Sequence, residues 1–140
     1  MNYKQVKISI NILCIRDNKF LLGLLTKKWE YEGQQVHGVP GRDLKFGEKI
    51  GDAVHRNIQE EIGCKLISYK VIAVNENFVW ENHYIGIGIT AVIEGEPKLL
   101  YPDDWEKWEW YDADKIPTNL FPDAKNLIEC FKSNKITVSE

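Results

Sequence analysis

Gly41-Arg-Asp-Leu-Lys-Phe-Gly47-Glu48 is a polar loop that leads into a helical pattern ending in Arg56-Asn-Ile-Gln-Glu-Glu-Ile-Gly-Cys64. From residue 50 to residue 62, apolar side chains recur every four residues, at Ile50, Val54, Ile58 and Ile62. This spacing predicts an apolar stripe along one side of an α-helix, and Gly63 stands where a helix end favours a left-handed residue. The sequence therefore predicts a helix that directly follows a glycine-containing loop.

The polar residues of this helix are unevenly placed. With about 3.6 residues per turn, Glu61 falls within the apolar stripe, while Asn57 lies one turn before it and Glu60 lies beside it. A buried carboxylate needs a partner, and for a single glutamate at the edge of a core an arginine is the ordinary one. Two adjacent carboxylates beside a glycine-rich loop also form a hard oxygen site suited to Mg²⁺ or Mn²⁺, which would bind phosphates.

Arg56 is the cation of this helix that lies closest to the paired glutamates. It stands four residues from both Asp52 and Glu60, and side chains with that spacing are neighbours on a helix surface. Arg56 could therefore pair with either carboxylate and do nothing more than support the helix. We expect support of the helix surface to be only half of the role of Arg56.

Strands are predicted on both sides of the helix. Apolar residues alternate with more polar ones at Val6, Ile8, Ile10, Ile12 and Cys14, after which Asp17-Asn18-Lys19 supplies a turn. Further strand-like runs are Phe20–Leu25, Leu66–Val74, His83–Ile93 and Trp105–Tyr111. Pro122 begins a last helix with apolar residues at Ala124, Leu127, Ile128 and Phe131. This order of elements indicates a mixed sheet between helices, of the α/β or α+β class.

Composition excludes several classes of protein. A chain of 140 residues can bury one core and leaves little for a second, so we expect a single domain over residues 1–140. A net charge of -3 offers no basic face to a nucleic-acid backbone. Polar residues interrupt the apolar stretch Val6–Ile15, which is neither a signal-peptide core nor a membrane span, and we expect a cytoplasmic protein. Three widely spaced cysteines, without a CxxC pair, are expected to be buried thiols.

The loop and the helix together resemble the Nudix box. That pattern runs glycine, five residues, glutamate, seven residues, and then Arg-Glu-apolar-x-Glu-Glu-x-Gly-apolar. The residues of this chain that fall on its positions are Glu48, Arg56, Ile58, Glu60, Glu61, Gly63 and Cys64. Outside the box, Val39-Pro40-Gly41 and the segment from Trp108-Glu109-Trp110 to Leu120-Phe121-Pro122 are similar to members that cleave nucleoside triphosphates. The resemblance implies the Nudix fold, an α/β/α sandwich with a mixed β-sheet.

The resemblance also implies roles for single residues. The metal ligands of the family map onto the Gly41 carbonyl, Glu60 and Glu61, and the cofactor would be Mg²⁺ or Mn²⁺. Glu48 and Arg56 would hold the loop and the helix together, which completes the implied catalytic set. Glu106 is the candidate for a further acidic ligand from a later segment, although Glu106, Asp103, Asp104 and Glu109 could equally be solvated strand residues.

The activity that the resemblance implies is hydrolysis of a phosphoanhydride, with a nucleoside triphosphate giving a monophosphate and pyrophosphate as the leading case. The polar loop Thr26–Gln35 could contact such a ligand or be a plain surface connection. Candidate substrate-binding residues are Lys28, Trp29 and Tyr84, and Tyr31 and Trp80 are further rings on which a base could stack. The expected partner is thus a small nucleotide-like molecule rather than nucleic acid or a membrane, and a homodimer is left open.

Two residues depart from the box. Arg42 stands where the signature glycine belongs, and Asn57 replaces the first glutamate of the Arg-Glu pair, which in many relatives is a metal ligand or the water-activating base. Because an amide cannot accept a proton as a carboxylate does, Glu60, Glu61 or Glu106 would have to serve as the base. One alternative is a Nudix-like protein that binds a nucleotide without cleaving it. Another is an interaction domain that uses its aromatic-rich C-terminal third.

Overall fold

A mixed sheet lies between two helices in the computed structural model, which describes residues 5–133 and the backbone of residues 137–139. Within these residues the strands are β1 (Val6–Arg16), β2 (Lys19–Leu25), β3 (His37–Gly38), β4 (Lys65–Val79), β5 (Asn82–Glu94), β6 (Trp105–Asp112) and β7 (Thr137–Ser139). The helices are α1 (Ile50–Ile62) and α2 (Pro122–Ser133), and a 3₁₀ helix covers Lys27–Trp29. The predicted α/β/α sandwich with a mixed sheet is confirmed.

The strands follow the order β3-β2-β1-β5-β4-β7, and β6 pairs with the other side of β2. β1 and β5 are parallel, whereas β4 and β5 form a long antiparallel hairpin. β1 and β2 are paired next to their turn, where Ile15 faces Phe20 and Arg16 faces Lys19. Beyond these two pairs the strands diverge and leave a wedge between them.

Residues 37–44 fill this wedge. They first run along β2, where Gly38 faces Gly23, and then bend and run along β1. The backbone hydrogen bonds to β1 are Ile12 N to Pro40 O (2.8 Å), Ile10 N to Arg42 O (3.2 Å) and Leu44 N to Ile8 O (3.3 Å). The loop that precedes α1 is therefore held in place by the backbone of the central strand, almost as a strand would be.

Gly41 lies next to the bend in this segment. Its φ is 125°, and a Cβ at this position would lie 1.9 Å from the carbonyl oxygen of Ile10. Any side chain would push the loop away from β1, so the close approach requires glycine.

Two apolar layers cover the faces of the sheet, because successive side chains of a strand point to opposite sides. On one face, Ile10 and Ile12 of β1 pack with Val54, Ile58 and Ile62 of α1. On the other, Leu13 of β1 and Phe20 and Leu22 of β2 pack with Ala124, Leu127 and Ile128 of α2. The three cysteines are buried in these layers or beside them, as expected. Within the described residues, neither helix is long and apolar enough to cross a bilayer.

The structure differs from the sequence-based expectation at several elements. β4 continues to Val79, five residues beyond the predicted end, because β5 pairs with its polar second half and a turn at Trp80 and Glu81 closes the hairpin. β3 and β7 were not predicted, since strands of two and three residues show no periodicity. Phe131, the last apolar position of the predicted period, is 39% exposed and packs against Phe20 with the two rings nearly perpendicular.

Candidate active site

An ion pair joins the loop to α1. The Arg56 guanidinium donates from Nε to Glu48 Oε2 (2.8 Å) and from Nη2 to Glu48 Oε1 (3.0 Å), a two-pronged contact. Arg56 also donates to the backbone carbonyl and carboxylate of Asp43 (2.9 and 3.2 Å) and lies 3.3 Å from Glu60 Oε2. Of its two expected helical partners, Glu60 is thus in contact, whereas Asp52 is absent from the ion pairs of the described residues.

These contacts shift the titration of both partners. The hydrogen bond from Arg56, with help from the Lys45 backbone N–H, lowers the pKa of Glu48 to about 2. The same hydrogen bond raises the pKa of Arg56 above its ordinary value. Glu48 and Arg56 therefore stay charged at neutral pH, so the link between loop and helix is a permanent one.

Asn57 forms a second link between α1 and the loop. Its side chain is fully buried, its Oδ1 accepts from Arg42 N (2.7 Å), and its Nδ2 donates to Ala53 O (2.7 Å) and Asp43 O (3.1 Å). The sequence placed Asn57 toward a metal cluster, since it lies one turn before Glu61. In the structure its amide is instead occupied by backbone groups of the helix and the loop.

Glu61 is the buried carboxylate of the site. It is 3% exposed, and its Oε1 accepts from the backbone N–H of Gly41 (2.8 Å). Burial raises the pKa of Glu61 to about 7, against the hydrogen bond from Gly41 and the charge of Arg42, which lower it. The ordinary arginine partner expected for such a glutamate is replaced here by a backbone amide. A carboxylate that burial disfavours in this way has a strong affinity for a further positive charge.

This shift predicts a pH dependence of the metal-free protein. Because the folded-state pKa of Glu61 lies above its ordinary 4.5, the folded state holds the proton more tightly than the unfolded state does. The free energy of unfolding should therefore fall by about 3 kcal/mol as the pH rises from below 4.5 to above 7, and then level. Urea unfolding in EDTA would measure it, with Glu61→Gln as the control. An equal slope in that variant would contradict the assignment.

A cavity of about 520 Å³ opens beside this cluster. Its walls include Gly41, Arg42, Glu60 and Arg56 from the loop and α1, with Trp29 and Tyr84 on other elements. The other lining residues are Leu25, Asp43, Lys45, Asp104 and Trp105, the first residue of β6. The volume lies in the range of pockets that hold small ligands, roughly 300–1,000 Å³. The structure thus brings Gly41, Arg56, Glu60, Trp29 and Tyr84 of the sequence-predicted set to one cavity.

The remaining predicted residues lie at its edge or outside it. Lys28 is at the rim, where its Nζ lies 3.5 Å from Asp104 Oδ1 and over the ring of Trp29. Glu106 is exposed and does not line the cavity. Of the two further candidate rings, Trp80 stacks on Phe121 and meets Trp29 edge to face, and Tyr31 contacts Phe121 edge to face. Trp80 therefore supports the Trp29 ring, Tyr31 packs on Phe121, and neither Trp80 nor Tyr31 lines the cavity.

Several residues of the site were missed by sequence reasoning, and three of them make specific contacts. Asp43 contacts Arg56, and Asp104 lines the cavity and accepts a hydrogen bond from Trp29 Nε1 (2.8 Å). Tyr101 lies under the Arg42 guanidinium, 4.9 Å from its ring centre. A signal was present for Asp43, which stands inside the box loop, whereas nothing in the local sequence marks Asp104 or Tyr101.

The oxygen donors of this cluster suit a hard cation. Glu60 is 46% exposed at its side chain and Glu61 lies beside it in the sequence, while no described residue donates a hydrogen bond to the Gly41 carbonyl. Among the described residues, no three acidic, histidine or cysteine side chains form a ready-made metal cage. Mg²⁺ is usually held by one or two carboxylates together with substrate phosphates, so Glu60 and Glu61 are the residues that could hold it.

The sequence and the structure were compared with those of known proteins. Residues 6–131 match the family model for the NUDIX domain. A MutT NUDIX hydrolase from Burkholderia pseudomallei superposes with a TM-score of 0.78 at 24% identity, over 91% of this chain and 98% of its own. The MutT protein from Methanosarcina mazei Go1 gives 0.79 at 19% identity, over 96% and 98%. An ADP-ribose pyrophosphatase from Streptococcus suis gives 0.66 at 15% identity, over 95% and 97%.

Proposed function

The chain belongs to the Nudix family, and from that premise we propose that it is a metal-dependent hydrolase that cleaves a phosphoanhydride bond in a nucleotide-like substrate. The observation that carries the proposal is the buried carboxylate of Glu61, which accepts a hydrogen bond from the Gly41 backbone and follows Glu60 in the sequence. Gly41 and Glu60 both line a cavity of ligand size. A nucleoside triphosphate that yields a monophosphate and pyrophosphate is the leading substrate. A cytoplasmic location is part of the same proposal.

Glu60, Glu61 and the Gly41 carbonyl would hold Mg²⁺ or Mn²⁺. A bound ion of this kind lowers the pKa of water, neutralises phosphate charge and orients the reacting groups. Glu48 and Arg56 fix the loop against α1, and Asn57 fixes it a second time, so these ligands keep their positions. Such prior positioning contributes to catalysis because the site need not reorganise during the reaction.

The proton of the attacking water is expected to go to Glu61 or Glu60. Both carboxylates belong to α1, and a positioned carboxylate can act as a general base. Asn57 cannot take this role because its amide is neutral and occupied. Trp29 and Tyr84 would contact the rest of the substrate on the opposite side of the cavity, and Lys28 would lie at the rim.

Turnover of a nucleotide panel with Mg²⁺ and with Mn²⁺ tests the proposal. The panel should hold nucleoside triphosphates and also diphosphates linked to a second group, since the similar structures include MutT proteins and an ADP-ribose pyrophosphatase. Release of a nucleoside monophosphate would support the proposal. Binding of nucleotides without cleavage under both metals would identify a nucleotide-binding protein instead. Absence of both would leave the interaction domain as the better interpretation.

Metal addition is expected to raise the melting temperature. In the metal-free protein the charge of Glu61 is disfavoured by burial, and a divalent cation that binds the folded state stabilises it by mass action. At a concentration of about 100 times the dissociation constant the gain would be about 2.7 kcal/mol. A thermal scan across millimolar Mg²⁺ and Mn²⁺ would measure this gain. An unchanged melting temperature in both titrations would count against the site.

A further inference from the structure

The three arginines of the chain differ in how their guanidinium groups are used. Arg16 donates to Glu96 Oε1 (2.7 Å) and to the carbonyls of Gly95 (2.8 Å) and Ile93 (3.1 Å). It also lies over the ring of Trp110, 4.6 Å from its centre. Arg56 is equally occupied, by the three carboxylates described above. The guanidinium groups of Arg16 and Arg56 are therefore both engaged by acceptors within the protein.

Arg42 is the exception. Its guanidinium lies on the ring of Tyr101, 4.9 Å from the ring centre, and no described residue accepts a hydrogen bond from it or forms an ion pair with it. Arg42 is one of the residues that line the cavity, together with Glu60 and Asp104. The guanidinium donors of Arg42 are thus available to a ligand in this cavity.

Arg42 is an exposed residue that is anchored at its backbone and supported at its guanidinium. At the backbone, Arg42 N donates to Asn57 Oδ1 (2.7 Å) and Arg42 O accepts from Ile10 N (3.2 Å). At the tip, the ring of Tyr101 supports the planar group, a contact that arginine makes better than lysine. Little conformational entropy would then be lost when a ligand binds, which favours affinity.

The two departures from the box are in direct contact and act in the same direction. Arg42 adds a positive charge where the pattern has glycine, and Asn57 removes a negative one where it has glutamate. The loop and helix beside the cavity are therefore two charges more positive than the box pattern would make them. Such a change favours anionic ligands, and guanidinium matches the geometry of phosphate because it can donate two parallel hydrogen bonds.

We propose that Arg42 is a substrate-binding residue that grips a phosphate group of the nucleotide, held in position by Tyr101 and Asn57. This inference rests on the proposed function. The grip acts in the ground state as well as during the reaction, so it chiefly affects KM and the affinity for phosphate-containing products. Tyr101 is a positioning residue, since it acts through the guanidinium.

Calorimetry with inorganic pyrophosphate, in buffer containing Mg²⁺, tests the grip without turnover. Arg42→Gln is expected to weaken binding roughly 10- to 100-fold, the effect of losing charge-assisted hydrogen bonds. The pyrophosphate affinity of Arg42→Lys should lie between those of the wild type and Arg42→Gln, because lysine keeps the charge but lacks the planar guanidinium. Tyr101→Leu should weaken binding less than Arg42→Gln does, and Tyr101→Phe should leave it unchanged. In kinetics, Arg42→Gln should raise KM by a similar factor with little change in kcat.

Arg16→Gln is the matched control, since it removes the same charge from a guanidinium on an aromatic ring that does not line the cavity. It should bind pyrophosphate as the wild type does. An equal loss in this control would overturn the inference, as would wild-type affinity in Arg42→Gln or no pyrophosphate binding by the wild type. Hydrolysis with an unchanged KM in Arg42→Gln overturns the inference alone. Arg42-dependent pyrophosphate binding without any nucleotide hydrolysis overturns the proposed function alone.

Discussion

Hydrolysis of the best substrate by the Glu61→Gln variant is expected to fall by at least about 10²–10⁴-fold, the range attributed to general-base assistance. Glutamine keeps the shape of the side chain, and its carbonyl oxygen can still accept the hydrogen bond from Gly41 N. It removes the negative charge that would bind the metal or accept the proton. Because glutamine preserves the volume and this hydrogen bond of a residue that is only 3% exposed, the variant separates the chemistry of Glu61 from its role in packing.

The fold of this variant should be intact, and its metal-free form should be more stable than the wild type above pH 7, where the buried charge is unfavourable. Glu109→Gln is a suitable control, because Glu109 is exposed on β6 and pairs with Lys107. Rates at saturating substrate and urea unfolding of both variants would give the comparison. Hydrolysis at the wild-type rate by Glu61→Gln would mean that the end of α1 is not the catalytic centre.

Asn57→Glu is expected to lower the stability of the protein by about 3 kcal/mol or more, rather than to restore a stronger enzyme. The Asn57 Nδ2 donates to the carbonyl oxygens of Ala53 and Asp43, and the residue is fully buried. A carboxylate there would lose both hydrogen bonds and direct a buried charge at two carbonyl oxygens. The loop would lose one of its links to α1, so the hydrolytic rate should fall as well.

Asn57→Asp is the matched comparison, since it removes the same donors with no increase in size. Urea unfolding of the three proteins should rank both variants below the wild type. Turnover of the best substrate is the second measurement. A rise in rate of roughly 10²-fold or more in Asn57→Glu would show that the chain lacks a base which the glutamate supplies, and our account of Asn57 as a loop contact would be wrong.

The parts of the fold that the sequence predicts well are those specified by local periodicity. The four-residue spacing of Ile50, Val54, Ile58 and Ile62 is sufficient for α1, and Gly63 at φ 67° ends it as expected. The same helical geometry places Glu61 in the apolar stripe, which is where the structure buries it. Alternation in β1 and the Asp17-Asn18 turn are equally local, so the first hairpin was also predictable.

The rest depends on contacts between distant segments. No local pattern shows that residues 37–44 run beside β1, or that Tyr101 lies under Arg42. The choice between Glu106 and Asp104 is another example. The pairing of β2 with β6 changes register between Leu24 and Leu25, so Glu106 is the extra residue of a bulge and is exposed. Asp104, two positions earlier, lines the cavity. Such a register shift cannot be inferred from strand propensity.

Because residues 37–44 are paired through their backbone with β1 and β2, the parts of the cavity wall differ in how much sequence change they can accept. The side that carries Gly41 and Arg42 cannot shift without breaking hydrogen bonds of the central strand. Trp29 lies outside this pairing: the backbone N–H of Thr26 donates to Asp104 O (2.9 Å), and the Trp29 ring is held by its hydrogen bond to the Asp104 carboxylate and its edge contact with Trp80. Substitutions of the Trp29 ring that change selectivity for the part of the substrate beyond the phosphates would therefore leave the backbone pairing of the Gly41 and Arg42 segment intact.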